Sequence, residues 1–259
     1  MGPAGSVLLR CAGVDLGVQW ALGLVAIVLR TEVFFDAAGS GTFLLLTYLS
    51  RKWSSTKFLR QQIQSGLVSV WGLRLGMYLF LRILREGKDS RFDKVRDKPS
   101  IFFMFWTLQA VWVFVTLLPT LIVNTKKQDS PLTRRDYLGW AVWVLGFTVE
   151  MLADHQKSFF RSDPNNVGKF IQSGLWAYSR HPNYVGEILQ WLGLFVSASS
   201  VLSGWEWLSA ASPLLVWLLL SHVSGVPILE RQAMRRWGLD PAYRAYVKRT
   251  PVLFPFSPW

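Results

Sequence analysis

The middle of the chain carries a run of charged side chains at helical spacing. Two acids and then two bases follow at steps of four, three and four residues, namely Glu150, Asp154, Lys157 and Arg161. A helix through them would place all four on one face. Such a face could be a functional site. The same pattern is also typical of a solvated helix end on which acids and bases pair, and spacing alone does not decide between the two.

A second polar group lies further along, in the run S-R-H-P-N-Y-V-G-E over 179–187. Pro182 has no backbone N–H and therefore suits the first turn of a helix. That turn has free N–H groups and the positive end of the helix dipole, which favour an anion such as a pyrophosphate. Arg180 and His181 directly precede it, so the run predicts an anion-binding helix start. A structural or capping role is the alternative for His181.

Two further side chains of this run fall inside the predicted helix. Asn183 and Glu187 are four residues apart and share a face, where they could hold a ribose, an amide or an adenine edge. A carboxylate about one turn into an apolar span is unfavourable unless it has a partner, so Glu187 is predicted to be functional.

The composition places the elements that hold these residues in a membrane. Of 259 residues, 51% are hydrophobic and only 17% are charged, against roughly 25% in an average soluble domain. The net charge of +12 comes from Lys and Arg in short blocks between apolar segments, which is typical of membrane-protein loops and argues against nucleic-acid binding. The single cysteine, Cys11, excludes an intramolecular disulfide and a thiolate zinc site, and we predict no metal.

The apolar segments predict an all-α polytopic membrane protein with about seven transmembrane helices, since about 20 apolar residues make one crossing. Arg74 lies inside the third segment and is predicted to face the bundle interior, because a charge in the membrane is unfavourable. Arg82, eight residues later, falls near the same face. The predicted spans cover approximately 16–29, 34–49, 63–84, 101–123, 137–153, 184–202 and 205–225.

The distribution of Lys and Arg predicts the orientation of the chain. With seven spans, the loops on one side and the C-terminal tail hold 17 of these residues, whereas the other side holds nine. Cytoplasmic loops carry the excess. The C-terminus and the polar stretch 150–191 are therefore predicted to face the cytosol, where soluble cofactors are found.

Several motifs in 136–255 resemble the DUF1295 family, in the clan of the steroid 5-alpha-reductases. They read D-x6-R, G-K-F, G-L-W-x-Y-x-R-H-P-N-Y-x-G-E, S-G-x4-E and W-G-x2-P-x-Y-x2-Y-x2-R-T-P-x-L-x-P. The resemblance implies a seven-helix membrane reductase that binds NADPH from the cytosolic side and reduces a carbon–carbon double bond conjugated to a carbonyl. It also implies one membrane domain over 1–259, with substrate-side helices in 1–123, a cofactor-binding half in 124–259, a location in the endoplasmic reticulum, and a lipophilic substrate in contact with membrane lipid.

The resemblance places the family's cofactor positions on Asp154, Arg161, Asn183, Tyr184 and Glu187. Of these residues and the charged residues beside them, we predict Arg161 and Arg180 to be the phosphate contacts. The family's asparagine position is Glu150 here, and an arginine and a histidine of the steroid enzymes correspond to Val226 and Glu230. The full predicted cofactor site is Asp154, Lys157, Arg161, Arg180, His181, Asn183, Tyr184 and Glu187.

The substrate side departs from the family pattern. The steroid enzymes use a glutamate and, about 34 residues later, a tyrosine three residues before an arginine. If that arginine is Arg74, then Trp71 stands at the tyrosine position, and a tryptophan cannot act as an acid. Asp36 is the nearest acid at the earlier spacing, and we predict it to be the catalytic proton donor, with a helix N-cap as the alternative.

Two other functions stay open at this point. R-H-P-x-Y with a later acid and G-x4-Y-x2-Y also resembles the isoprenylcysteine carboxyl methyltransferases, which use S-adenosylmethionine. Glu187 and the face from Asp154 to Arg161 favour the reductase instead. A membrane scaffold without turnover is the third interpretation, and only Trp71 favours it.

Overall fold

The computed structural model describes residues 3–86, 92–93 and 95–254, without the side chains of residues 3, 82 and 84–86. The predicted Arg82 side chain, residues 87–91 and 94 of the mixed-charge loop 85–99, and the tail 255–259 therefore lie outside the described residues. The α-helices of the described part are α1 (Pro3–Leu29), α2 (Phe35–Ser54), α3 (Leu59–Glu86), α4 (Pro99–Thr125), α5 (Arg134–Ser162), α6 (Pro182–Ala198), α7 (Ala211–Leu218), α8 (Val226–Trp237) and α9 (Pro241–Arg249).

The all-α prediction is confirmed, since the described residues contain helices and turns but no β-strand. Within the part of the chain that the structure describes, three helical stretches are long and apolar enough to cross a membrane, namely Ala4–Leu29, Pro99–Thr125 and Gly204–Trp237. The protein is therefore an integral membrane protein. The count of seven crossings stays a prediction, because the other helices are shorter or more polar; α6, for example, has 17 residues.

The first helix begins earlier than predicted. The predicted span started at residue 16, after Asp15, whereas α1 begins at Pro3. Val7, Leu8 and Cys11 are buried, so the apolar face continues through the N-terminal part of the helix. Asp15 lies within this apolar helix and does not end it.

The seventh predicted span is not one regular helix. A 3-10 helix (Gly204–Ala210) leads into α7, and a π-helical turn (Leu219–Val223) follows before α8. The 3-10 helix starts with a capping box, in which Ser203 and Glu206 satisfy each other's backbone N–H groups. Hydropathy alone did not predict these changes in helical pitch.

The chain divides into two compact units, and each includes two separate parts of the sequence. The first unit is Met1–Asp136 with Ala198–Ser212, and the second is Tyr137–Ser197 with Pro213–Trp259. The division of function between 1–123 and 124–259 stays a prediction.

Polar side chains join the helices inside the first unit. The amide nitrogen of Gln19 on α1 donates to Thr42 on α2 at 3.0 Å, and Gln109 on α4 donates to Gln19 at 2.9 Å. Further along the same helices, Asn124 donates to Ser50 at 2.9 Å. Hydrogen bonds of this kind fix helix register where the surroundings are as apolar as lipid.

A buried ion pair links α3 to the start of α5 in this unit. Arg60 Nε lies 2.6 Å from Asp136 Oδ1, and the Asp136 carboxylate also accepts from Thr133 and Ser200. Burial alone would raise the pKa of Asp136, but the hydrogen bonds from Arg60, Thr133 and Ser200 outweigh it and hold the pKa below its usual value. The carboxylate therefore stays ionised and joins α3, α5 and the segment after α6.

Candidate cofactor site

Helices α5 and α6 of the second unit touch backbone to backbone. A Cβ added at Gly186 would lie 2.5 Å from the carbonyl oxygen of Gly146 and 2.6 Å from the nitrogen of Glu150. Gly193 and Gly139 make the same kind of contact two turns further along. Glycine is needed at these positions because any side chain would push the helices apart.

This close approach brings Glu150 against the start of α6. Its carboxylate is buried and accepts from the Gln190 amide at 2.5 Å. Glu150 therefore packs between the helices, which the predicted face from Glu150 to Arg161 did not anticipate. The helix that would place these residues on one face is present, since α5 continues past residue 153 and ends at Ser162.

The end of α5 is covered by the turn Gly174–Ala177. Trp176 is buried, and its indole N–H donates to the carbonyl of Ala153 at 3.1 Å. Gly174 has a φ of +62°, and its neighbour Leu175 donates its N–H to Gln156 Oε1 at 3.0 Å. The turn thus packs against one face of the helix end.

Lys157 lies where this turn meets α5. Its ammonium is 4.5 Å from the centre of the Trp176 ring, a cation–π contact. Burial, and next the positive charge of Arg161, lower the pKa of Lys157 to about 8, against an opposing effect of Asp154. The charged form of Lys157 is therefore less favourable than that of a surface lysine, and a bound anion would stabilise this charge.

Arg180 and His181 share one acid at the start of α6. Arg180 Nη1 donates to Glu230 Oε2 at 2.6 Å, and His181 Nε2 lies 2.8 Å from Glu230 Oε1. Burial lowers the pKa of His181, although the hydrogen bond to Glu230 opposes this. Lys157 adds a smaller effect in the same direction as burial, so α5 and α6 contribute to a single electrostatic cluster.

The C-terminal segment holds the backbone that leads into α6. Arg180 N donates to the carbonyl of Pro251 at 2.9 Å, and the Tyr246 hydroxyl donates to the carbonyl of Trp176 at 2.7 Å. Burial raises the pKa of Tyr246, so the phenol stays protonated as this bond requires. The tail motif W-G-x2-P-x-Y-x2-Y-x2-R-T-P therefore has a structural role beside the site.

The first turns of α6 carry the remaining predicted residues. Helix α6 begins at Pro182, as predicted. The Tyr184 ring stacks on the His181 ring at 5.5 Å between centroids and 10° between planes. Glu187 Oε1 accepts from the Trp191 indole at 2.8 Å, so this carboxylate has the polar partner that its place in an apolar helix requires. Asn183 is half-buried on the same helix.

The structure thus brings the eight predicted cofactor residues into two groups of one unit. One group is at the end of α5 and the other at the start of α6, and Lys157 interacts with both. Arg161 and Asp154 lie on α5 beside Lys157. Arg180 differs from its predicted role in one respect, because its charge is already compensated by Glu230.

The predicted acid, Asp36, belongs to the first unit. It is the second residue of α2, whose N-cap is Phe34, so the alternative that Asp36 is the N-cap is wrong. The chain turns into the helix two residues earlier because the Phe35 N–H already bonds to the carbonyl of Glu32 at 2.8 Å. Asp36 borders a cavity of about 10 Å³ with Phe80 and Ile83, which has room for about one water molecule.

Trp71 is a core residue of the first unit. It is 1% exposed and packs edge to face against Phe43 at 4.8 Å. The large indole therefore fills the helix interior at the position where the family resemblance expected a tyrosine hydroxyl.

The sequence did not reveal two acids, the half-buried Glu230 and the buried Asp15. Glu230 appeared only as a departure from the family pattern, because its partners are 49 and 50 residues away along the chain. Asp15 is 1% exposed, and its two carboxylate oxygens have no hydrogen-bond partner among the described residues. Its four-residue spacing from Cys11 and Gln19, both buried, was the available signal.

Comparison with known proteins identifies relatives of three activities. A very-long-chain enoyl-CoA reductase of Dictyostelium discoideum is 22% identical over 60% of this chain and 47% of its own length. A 3-oxo-5-alpha-steroid 4-dehydrogenase 1 of Macaca fascicularis is 26% identical over 47% of this chain and 41% of its own. A probable O-methyltransferase of Ustilaginoidea virens is 26% identical over 59% of this chain and 62% of its own.

This chain thus spans between 41% and 62% of the length of these relatives. No solved structure matches it. A family model matches residues 21–250 and includes the R-H-P-N-Y run, α5 and the tail motif as far as Thr250. The match covers most of the sequence and confirms the resemblance found in its motifs, so the chain belongs to the family described as "Protein of unknown function (DUF1295)".

Proposed function

We propose that the protein is an NADPH-dependent membrane reductase of a carbon–carbon double bond conjugated to a carbonyl in a lipophilic, lipid-like or steroid-like substrate. The observation that carries the proposal is the cluster of cationic side chains at the end of α5 and the start of α6. Lys157, Arg161 and Arg180 lie there. The acids among the predicted site residues and their ion-pair partners are Asp154, Glu187, which accepts from Trp191, and Glu230, which pairs with Arg180. Two relatives, a reductase and a dehydrogenase, support the reaction class.

The residues present fit NADPH. Lys157 and Arg161 provide positive charge that neighbouring acids do not fully balance, which suits the phosphate groups of the dinucleotide. Asp154, Asn183 and Glu187 can bond to ribose hydroxyls or to an amide. His181 Nδ1 is buried without a hydrogen-bond partner among the described residues, so a ligand group can complete its bonding.

The bound nucleotide would supply a hydride to the substrate. Reduction of an enone places negative charge on the carbonyl oxygen, and a side-chain acid stabilises that charge when it holds a proton at the working pH. Asp36 remains the proposed acid. Its small cavity implies that substrate must displace neighbouring side chains such as Phe80 to reach it.

The proposed location is the endoplasmic reticulum membrane with the C-terminus in the cytosol. The excess of Lys and Arg on the predicted cytosolic side supports the orientation, and cytosolic exposure would give the cluster access to soluble NADPH.

A methyltransferase that uses S-adenosylmethionine is the second candidate. The O-methyltransferase relative aligns over 59% of the chain. Glu230 is a specific observation in its favour, because a carboxylate within the site suits the positive sulfonium of that cofactor better than it suits a phosphate.

A thermal-shift comparison of purified protein with NADPH, NADH and S-adenosylmethionine separates the candidates. A ligand that binds only the folded state stabilises it by mass action, by about 2.7 kcal/mol at 100 times its dissociation constant. Stabilisation by NADPH above that by NADH supports the reductase and a contact to the 2′-phosphate. Stabilisation by S-adenosylmethionine alone would exclude the reductase proposal and support the methyltransferase.

A further inference from the structure

Glu230 on α8 binds two neighbouring residues at once. One carboxylate oxygen is 2.6 Å from Arg180 Nη1 and the other is 2.8 Å from His181 Nε2. The arginine is always charged in proteins, so its partner here is an ionised carboxylate, which can only accept hydrogen bonds. His181 Nε2 must therefore carry a proton and donate it to Glu230.

The other ring nitrogen of His181 is left without a proton. Burial lowers the pKa of His181 below its ordinary value of 6.5, so the imidazole is neutral at pH 7 and holds one proton only. With that proton on Nε2, Nδ1 has a free lone pair. His181 is 5% exposed, and Nδ1 has no hydrogen-bond partner among the described residues.

The His181 ring is held in this orientation from several sides. Tyr184 stacks on one face with 10° between the ring planes. The His181 backbone N–H donates to Ser179 Oγ at 3.2 Å. A buried acceptor that is held rigidly and lacks a donor is unfavourable by itself, which indicates that a ligand provides the donor.

We infer that Glu230 is a positioning residue, which keeps the His181 proton on Nε2 so that Nδ1 accepts a hydrogen bond from an N–H or O–H group of the bound nucleotide. The inference rests on the proposed function for the identity of that nucleotide. The donor groups in question are the carboxamide, amino and hydroxyl groups of a dinucleotide cofactor. Arg180 then serves to hold Glu230 and not to bind phosphate, which leaves that role to Lys157 and Arg161.

The inference implies a pH dependence of cofactor binding. Three charged groups act on His181: Glu230 from α8 favours its protonation, whereas Lys157 from α5 and Arg180 beside it oppose it. Above the lowered pKa, Nδ1 is an acceptor and binding is complete. As the pH falls through that pKa, Nδ1 gains a proton and the hydrogen bond is lost, so NADPH affinity should fall on the acidic side of pH 6.5.

The test reads the tautomer directly. His155 and His222 are exposed, so the double variant His155→Gln, His222→Gln has His181 as its single histidine. Solid-state ¹⁵N NMR of this histidine-labelled protein in lipid bilayers at pH 7 should show a protonated Nε2 and an unprotonated Nδ1. Adding Glu230→Gln should give a mixture of tautomers or their reversal, and should weaken NADPH binding by about 3- to 10-fold, the loss of one hydrogen bond.

Arg180→Gln is the matched control. It removes the other partner of Glu230 but keeps the Glu230–His181 bond, so it should retain the wild-type tautomer. Saturating NADPH should shift the Nδ1 signal to that of a hydrogen-bonded acceptor. A proton on Nδ1 in the ligand-free protein, or an unchanged tautomer in Glu230→Gln, overturns the positioning role.

The ligand half of the inference has its own outcome. Bound NADPH, detected by thermal stabilisation, that leaves the Nδ1 signal unchanged overturns the acceptor role. If NADPH does not bind at all, the proposed function fails, but the ligand-free spectra still decide the role of Glu230. S-adenosylmethionine then replaces NADPH as the probe, and an unshifted Nδ1 signal with both compounds overturns the acceptor role for either.

Discussion

The Lys157 side chain combines burial with a second positive charge nearby. Its pKa of about 8 means that the ammonium is charged at pH 7 and loses its charge as the pH rises above 8. A phosphate contact needs the charged form. The affinity for NADPH relative to NADH, measured as a function of pH, therefore shows whether the charged form of Lys157 contacts the 2′-phosphate.

We predict that the NADPH preference declines between pH 7 and pH 9. Lys157→Arg keeps its charge over this range and should retain the preference at high pH, whereas Lys157→Gln should lack it at every pH. Binding titrations at three pH values measure this. A preference that is independent of pH in the wild type would exclude a contact between Lys157 and the 2′-phosphate.

Arg161 is the second proposed phosphate contact, and it is exposed at the end of α5. Charge-assisted hydrogen bonds contribute about 1.5–3 kcal/mol, so Arg161→Ala should weaken NADPH binding by about one to two decades. Asp154→Ala should weaken it as well. Lys169→Ala removes a charge from another exposed position and should bind as the wild type does; equal binding by all three variants would exclude this face of α5.

Asp36 lies beside a cavity that holds only about one water molecule, so a substrate must displace side chains to reach its carboxyl group. If it is the acid, Asp36→Asn should keep the fold and the NADPH affinity while kcat falls by about 10²-fold or more. Steady-state kinetics with a simple enone measure this, and unchanged turnover would exclude Asp36. Trp71→Tyr is a complementary variant: a gain in enone reduction would identify an altered reductase pocket.

At the scale of helices, the close packing of α5 against α6 requires residues without side chains at four positions, namely Gly139, Gly146, Gly186 and Gly193. A Cβ at Gly186 would meet backbone atoms at 2.5 and 2.6 Å, and backbone cannot rotate away as a side chain can. Gly186→Ala should therefore destabilise the protein by about 1–3 kcal/mol, as overpacking does, and should separate Glu150 from α6.

Thermal unfolding in detergent or bilayers measures this prediction. Gly66→Ala on α3 is the matched control, because no atom lies within 4 Å of its added Cβ. That substitution should be neutral or stabilising by up to about 1 kcal/mol, since alanine favours helices. An equal effect of both substitutions would show that the close approach of α5 and α6 contributes little.

Local patterns in the sequence predicted the helices that carry the site. Pro182 marked the start of α6, and the spacing from Asp154 to Arg161 required α5 to continue beyond the apolar segment. The partners of Arg180 and His181 were not predictable in this way, because Glu230 approaches them from a separate helix. The early start of α1 was not predicted because hydropathy alone puts the beginning of the apolar segment after the charged Asp15, which in fact lies inside the helix. The π turn Leu219–Val223 was not predicted because hydropathy does not report helical pitch.

For the whole molecule, the excess of positive charge predicts that the C-terminus lies in the cytosol and the N-terminus in the lumen. The basic helices α8 and α9, with Arg235, Arg236 and Lys248 in their last turns, contribute strongly to this excess. Protease treatment of sealed microsomes should remove a C-terminal tag and leave an N-terminal tag intact. Protection of the C-terminal tag would reverse the orientation and place the cofactor cluster away from cytosolic NADPH.

The interleaving of the two units along the chain constrains how the protein is made. Ser200, Glu206 and Ser212 supply bonds to Asp136, Lys126 and Thr116 of the first unit, yet they follow them by 64, 80 and 96 residues. A ribosome synthesises the whole of α5 and α6 before these partners emerge. The first unit therefore cannot complete its bonding during translation of its own helices, and a nascent chain stalled after residue 136 presents Lys126 without its acid to the insertion machinery.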